Sequence, residues 1–205
     1  MRIFSWRRIN SALILTALAT LLIWPAKGRV NPPAFGPTVC ACCADEGAWY
    51  QRTEKTNFDE LARVSFATAV KTYEPPGSDG ELASTYVLSH TRAGRRWQLR
   101  FRDGQGKTGT LSFALPPSAV NYGADLHDGS DSGLGPVLYK EWRFSGTAQV
   151  TGDFKRVMKG PTRFLLIFQG KGNNCTEAGN FKHWTLQLSG AGDSYTFYGA
   201  LNNPQ

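Results

Sequence analysis

From Trp49 onward, one segment after another places apolar residues at every second position. That period restricts the fold more than any other feature, because alternate side chains of a strand face opposite sides of a sheet. Trp97, Leu99 and Phe101 point one way, and Gln98, Arg100 and Arg102 the other. The turn sequence Asp103-Gly104-Gln105-Gly106 follows, and then Leu111, Phe113 and Leu115 alternate with Thr110, Ser112 and Ala114. This predicts a hairpin with one apolar and one polar face. The alternation returns between Leu138 and Val150, where Trp142, Phe144, Ala148 and Val150 oppose Glu141, Arg143, Thr147 and Gln149. It returns again at Trp184, Leu186 and Leu188, and a last strand, Tyr195 to Leu201, follows Gly190-Ala191-Gly192-Asp193. Phe164 to Phe168 is apolar on both faces and predicts a central strand.

Residues 58–73 carry two patterns. Asn57 with Glu60 resembles a capping box, whereas the β-branched Val64, Thr68, Val70 and Thr72 suit a strand. We expect a strand with a phase slip near Ala67. The interval Pro116 to Pro136 is too long for an ordinary connection and is read as a lid, binding loop or insertion. The fold class is therefore all-β: an antiparallel meander of eight or nine strands, with an up-and-down barrel preferred over a sandwich. Trp49, Trp97, Trp142 and Trp184 each fall on a strand. In a barrel of that size they fill the interior or line a cavity for one small ligand.

Residues 1–28 precede this domain and have a different character. Arg2, Arg7 and Arg8 flank an apolar run of 13 residues, Ala12 to Trp24, and small residues stand at Ala26 and Gly28. A span needs about 20 apolar residues, so this is the pattern of a cleaved secretory signal, cut before Arg29. Residues 29–39 hold three prolines and form an extended leader; residues 40–205 form one barrel domain. The signal also changes the charge argument. The whole chain has net charge +7, but four of its 23 Lys and Arg lie in residues 1–28. Cleavage leaves 19 basic against 16 acidic residues, net +3, and no nucleic-acid partner is expected.

All four cysteines, Cys40, Cys42, Cys43 and Cys175, follow the signal. A periplasmic or extracellular location favours disulfides. Pairing the adjacent Cys42 and Cys43 is strained, which leaves Cys40–Cys42 with Cys43–Cys175, or Cys40–Cys43 with Cys42–Cys175. Either choice closes a loop of about 130 residues, worth about 4–5 kcal/mol in the chain-entropy account. The alternative use of the four thiols is a metal or redox centre; otherwise no cofactor is expected. A second metal candidate is the loop containing Asp125, His127, Asp128 and Asp131, although Asp, Gly and Ser also suit any exposed turn. Arg95, Arg100 and Arg102 form a candidate patch for an anionic envelope surface, or else a solvated strand face. His90, His127 and His183 fall on separate segments, and none of the common nucleophile, metalloprotease or phosphate-loop motifs is present.

Gly47-Ala48-Trp49-Tyr50 opens the first strand. G-x-W-Y in that place resembles the first-strand motif of the lipocalins and related calycin barrels. The resemblance implies an exported barrel binding a small apolar molecule, with Gly47 and Trp49 structural and Trp49 closing the barrel floor. The basic residue that lipocalins place on a late strand has no counterpart in Tyr195 to Leu201, and the C-terminal helix of that family has no counterpart either. The sequence therefore leads to a non-catalytic β-barrel, secreted or periplasmic, binding a small apolar or amphipathic ligand. A thiol-based metal or redox protein and an envelope interaction domain are the alternatives.

Exported protein should begin at Arg29 by N-terminal sequencing. Its non-reduced mass should lie four hydrogens below that of the reduced chain. Retention of Met1 would make the segment an anchor, and four free thiols would remove the disulfide reading.

Overall fold

Alternation along each strand sends one set of side chains inward, and in the computed structural model that set closes into a barrel. The structure describes residues 49–73, 82–124, 138–172, 177–191 and 194–203. The elements in chain order are β1 (Trp49–Lys55), α1 (Phe58–Ala62), β2 (Phe66–Tyr73), β3 (Thr85–Ala93), β4 (Arg96–Arg102), β5 (Thr108–Ala114), β6 (Ser118–Ala124), β7 (Tyr139–Gly152), α2 (Asp153–Val157), β8 (Thr162–Lys171), β9 (Phe181–Ser189) and β10 (Ser194–Leu201). A 3-10 turn at Ala178–Asn180 leads into β9. Strands β2, β3, β4, β5, β7, β8, β9 and β10 pair in that order, all antiparallel, and β10 returns to β2. The result is an eight-stranded up-and-down barrel with two extra strands, β1 and β6.

The extra strands exist because β7 is long. Its 14 residues pair with β8 along one edge, from Tyr139 to Ala148. On the other edge, Ala148 to Gly152 pairs with β5 and Tyr139 to Arg143 pairs with β6. Between β5 and β6 stand Pro116 and Pro117, which have no N–H to offer a ladder. Pairing breaks there, and beyond the break β1 lies beside β6 in place of β4. The interval Pro116 to Pro136 is thus not all connection: β6 occupies its first part. Residues 58–73 also differ from expectation. Asn57 caps α1 by accepting a hydrogen bond from the Glu60 N–H at 3.2 Å, and β2 begins only at Phe66. The capping signal outweighed the β-branched residues because Leu61 and Val64 are buried by the turn.

The interior is filled by large side chains. Leu99, Leu111, Phe144, Leu166, Phe168, Trp184 and Leu186 have no exposed surface. Phe66 lies 5.1 Å from Trp184 and 6.0 Å from both Trp97 and Phe168, ring centre to ring centre. Phe113 meets Phe164 at 4.4 Å. Burying each such residue contributes about 1.5–3 kcal/mol. At one end α2 inserts Phe154, which touches Phe101 and Phe197, each at 5.2 Å. Gly109 makes room for it: a Cβ there would lie 2.5 Å from the Phe154 ring. At the other end a polar knot joins distant segments. Lys140, 2% exposed, donates to the Glu177 carbonyl at 3.1 Å. The Ala178 N–H donates to Glu60 at 3.1 Å. Asn203 donates to the Ala178 and Phe181 carbonyls at 2.8 and 2.9 Å and accepts from the Ser65 N–H at 2.9 Å. Burial pushes the Lys140 ammonium down to about 8, against the opposing pull of Glu177 and Glu60.

Phe154→Ala should cost about 3–5 kcal/mol in urea denaturation, from lost burial and the cavity left behind. Gly109→Ala alone should cost about 1–3 kcal/mol by overpacking. Combined, they should cost less than the sum, because the new methyl occupies space the ring vacates. Strict additivity would show that the two positions do not share that space.

Candidate functional site

With the lumen filled, a groove lies open on the outer wall. Outward positions are mostly polar, as alternation requires. The exceptions gather on three adjacent strands. Among the described residues four large hydrophobics stand exposed, and three of them, Tyr198, Tyr73 and Val87, lie on β10, β2 and β3. Pairing sets their neighbours. Thr185, Tyr198, Lys71 and Thr85 form one row across β9, β10, β2 and β3. Thr196 lies opposite Tyr73, and His183 opposite both Ala200 and Gln169. All of these but Val87 line a groove of about 730 Å³. That volume is within the range of small-molecule sites, and a mostly apolar lining with a few placed polar groups is their usual composition.

One wall of the groove is fixed by a buried carboxylate. Glu141 is 6% exposed on β7, on the same face as Tyr139 and Arg143. Its carboxylate accepts from the Tyr139 hydroxyl, from Arg143 Nε at 2.5 Å and from Gln169 Nε2 at 3.1 Å. Gln169 also donates to the Tyr139 oxygen at 2.9 Å. The amide carbonyl of Gln169 is left for Thr185, whose hydroxyl donates to it at 3.3 Å. Burial alone raises the Glu141 pKa, but hydrogen bonds from Tyr139, Gln169 and Arg143, with the Arg143 charge, outweigh burial and hold it below the ordinary carboxylate value. Tyr139 is pushed up to about 12, by burial first and then by its bond to Glu141. Glu141 is an anion engaged on both oxygens, so it positions Gln169. The Arg143 guanidinium lies 4.9 Å over the Tyr122 ring, continuing the arrangement onto β6. The groove then offers two phenol faces, an amide, an imidazole, an ammonium and hydroxyls, a set suited to stacking and hydrogen bonding.

The residues singled out from sequence fall elsewhere. Cys40, Cys42, Cys43 and Cys175 lie outside the described residues, as do Gly47 and the loop residues Asp125, His127, Asp128 and Asp131. Among the described residues no group of three metal-ligating side chains assembles. Trp49 is on β1, outside the barrel, 64% exposed, with its ring 5.9 Å from Tyr122. It does not reach a barrel floor, because the strand carrying it pairs only with β6. Phe66, Trp97 and Trp184 are among the aromatics packed inside. Arg100 and Arg102 share the outer face of β4. Arg95 is set apart in the β3–β4 turn, where its Nε donates to the Leu115 carbonyl at 2.9 Å and its guanidinium lies 6.0 Å from the Phe58 ring centre.

Sequence reasoning missed the groove. Tyr198 and Tyr73 occupy the polar phase of their strands, where an aromatic is out of pattern; that was the available signal. Glu141 and Arg143 were visible only as polar-phase residues. Comparison with protein-family models, curated proteins and solved structures gave no match.

Glu141 has a depressed pKa in the fold, so its stabilising effect is present above the unfolded value near 4.5 and is lost as pH falls through the folded value. Glu141→Gln should therefore lower the urea midpoint at neutral pH, and the gap from wild type should shrink under acid conditions. A gap independent of pH would remove the charge from this account.

Proposed function

We propose that the chain is an exported binding protein. Its barrel serves as a rigid, solid body, and a small amphipathic ligand is held in the groove on its outer wall, without being chemically changed. The carrying observation is the pair of tyrosines, Tyr73 and Tyr198, exposed on the polar phase of β2 and β10. Isolated exposed aromatics need no explanation, but clustered ones beside oriented polar groups mark a recognition surface. The ligand has an apolar or planar part for the phenol faces. Its polar part meets Lys71, Thr185, Gln169 and His183. Export rests on the basic, apolar and small-residue succession of residues 1–28. The closed eight-stranded meander agrees with the lipocalin-like resemblance in architecture, and the filled lumen supports the wall rather than the interior as the binding surface.

The probe for this reading is 1-anilinonaphthalene-8-sulfonate, an aromatic ring system with one anionic group that Lys71 can meet. Titrated into the mature protein it should show saturable fluorescence enhancement. The double substitution Tyr73→Ser and Tyr198→Ser should weaken it about tenfold or more, since two aromatic contacts are removed. Unchanged affinity, with the fold intact by circular dichroism, would overturn the assignment.

A further inference from the structure

Arg96, Arg100 and Arg102 lie on one wall of the barrel, formed by the outer faces of β3, β4, β5 and the second half of β7.

Ladder register defines that wall. Ser89, Arg100, Thr110 and Thr151 lie side by side, as do Thr91, Gln98, Ser112 and Gln149. Val87, Arg102 and Thr108 form a third row, and Ala93, Arg96 and Ala114 a fourth. On β3, β4, β5 and residues 145–152 of β7 no outward position is Asp or Glu. Among the described residues two carboxylates stand at the end of the wall, and both are engaged. Asp103 accepts from the Gln105 and Lys107 N–H groups, both at 2.9 Å, and Asp153 is paired with Arg156 at 3.3 Å. At the Arg96 end of the wall lies a groove of about 900 Å³, lined by Arg96, Gln98, Ser112, Thr147 and Gln149 with the buried Trp97 and Phe113 beneath; Arg100 and Arg102 extend the wall beyond it.

We propose that this wall binds an acidic polysaccharide. The argument rests on which side chains alternate there. Guanidinium groups grip carboxylate or sulfate oxygens two at a time, and a row without carboxylates has no internal partner to compete with them. Hydroxyl and amide side chains between the arginines supply the donors and acceptors that sugar hydroxyls require. An anionic membrane fits less well. Attachment to a bilayer surface uses apolar groups that enter the acyl boundary, and Val87 at the rim is the one large exposed hydrophobic that these strands carry. Nucleic acid also fits less well, because the wall exposes no aromatic ring for base stacking. This surface is separate from the tyrosine groove, and neither reading depends on the other.

The experiment is calorimetric titration of the mature full-length protein with polygalacturonate, beside uncharged dextran and vesicles rich in phosphatidylglycerol. Wild type should bind polygalacturonate, with affinity falling steeply between about 50 and 200 mM salt, as ion release requires. It should ignore dextran. The triple substitution Arg96→Gln, Arg100→Gln and Arg102→Gln should weaken binding about tenfold or more and flatten the salt dependence. These side chains face solvent, and urea midpoints will verify that the fold is kept. Arg100→Gln alone, a milder change, should weaken binding about threefold. Equal binding by the triple variant, equal binding of dextran, or tighter binding of the vesicles than of polygalacturonate would each overturn the proposal. The Tyr73→Ser, Tyr198→Ser protein should bind polygalacturonate as wild type does, which keeps the two surfaces distinguishable.

Discussion

Where Phe66 lies opposite Leu201 and Tyr73 opposite Thr196, the first and last strands of the barrel complete a ring. Without that ladder β2 and β10 would be two open edges, each with a row of unsatisfied backbone groups. With it, every barrel strand has partners on both sides, and the inward side chains are enclosed on all flanks. Enclosure lets the aromatics pack ring against ring, and packing in turn releases the outer wall from any duty of burial. The tyrosine groove lies directly over this closure, since Tyr198 and Lys71 are cross-strand neighbours within the same ladder. The site and the seam of the barrel are made by one set of hydrogen bonds.

β7 is the second organising element. It serves the barrel with its C-terminal half and a sheet extension with its N-terminal half, while β8 follows it on one side. The Glu141 network sits in the half that faces β6. It ties the extension to the groove through Gln169, so two parts of the outer surface are held in one orientation by a single anion.

Much of this was legible in the residues, and the parts that were not have physical reasons. Alternation located the hairpin of β4 and β5, and the inward residues Trp97, Leu99 and Phe101 followed from it. α1 was passed over because its five residues are too few to outweigh the β-branched residues that follow; Asn57 with Glu60 announced its start, and Phe58, Leu61 and Ala62 fitted a helical face. β6 was hidden inside Pro116 to Pro136 because its outward residues, Val120 and Tyr122, are as apolar as its inward ones, Ala119, Asn121 and Gly123. The groove escaped notice since its members come from five strands, and register across a sheet is not written in any one of them. The arginine wall was half seen: Arg100 and Arg102 were recognised, but Arg95 was grouped with them by sequence distance when it belongs to a turn. The net charge of +3 summed over residues 29–205 also masked the wall, because it adds residues that do not share a surface.

The seam has one more effect, on the order in which the molecule is built. Hairpins such as β3–β4 and β4–β5 join neighbours in the chain and form from local contacts. The β2–β10 ladder joins strands more than a hundred residues apart and waits for β10, so the enclosed interior appears only once that strand is free to pair.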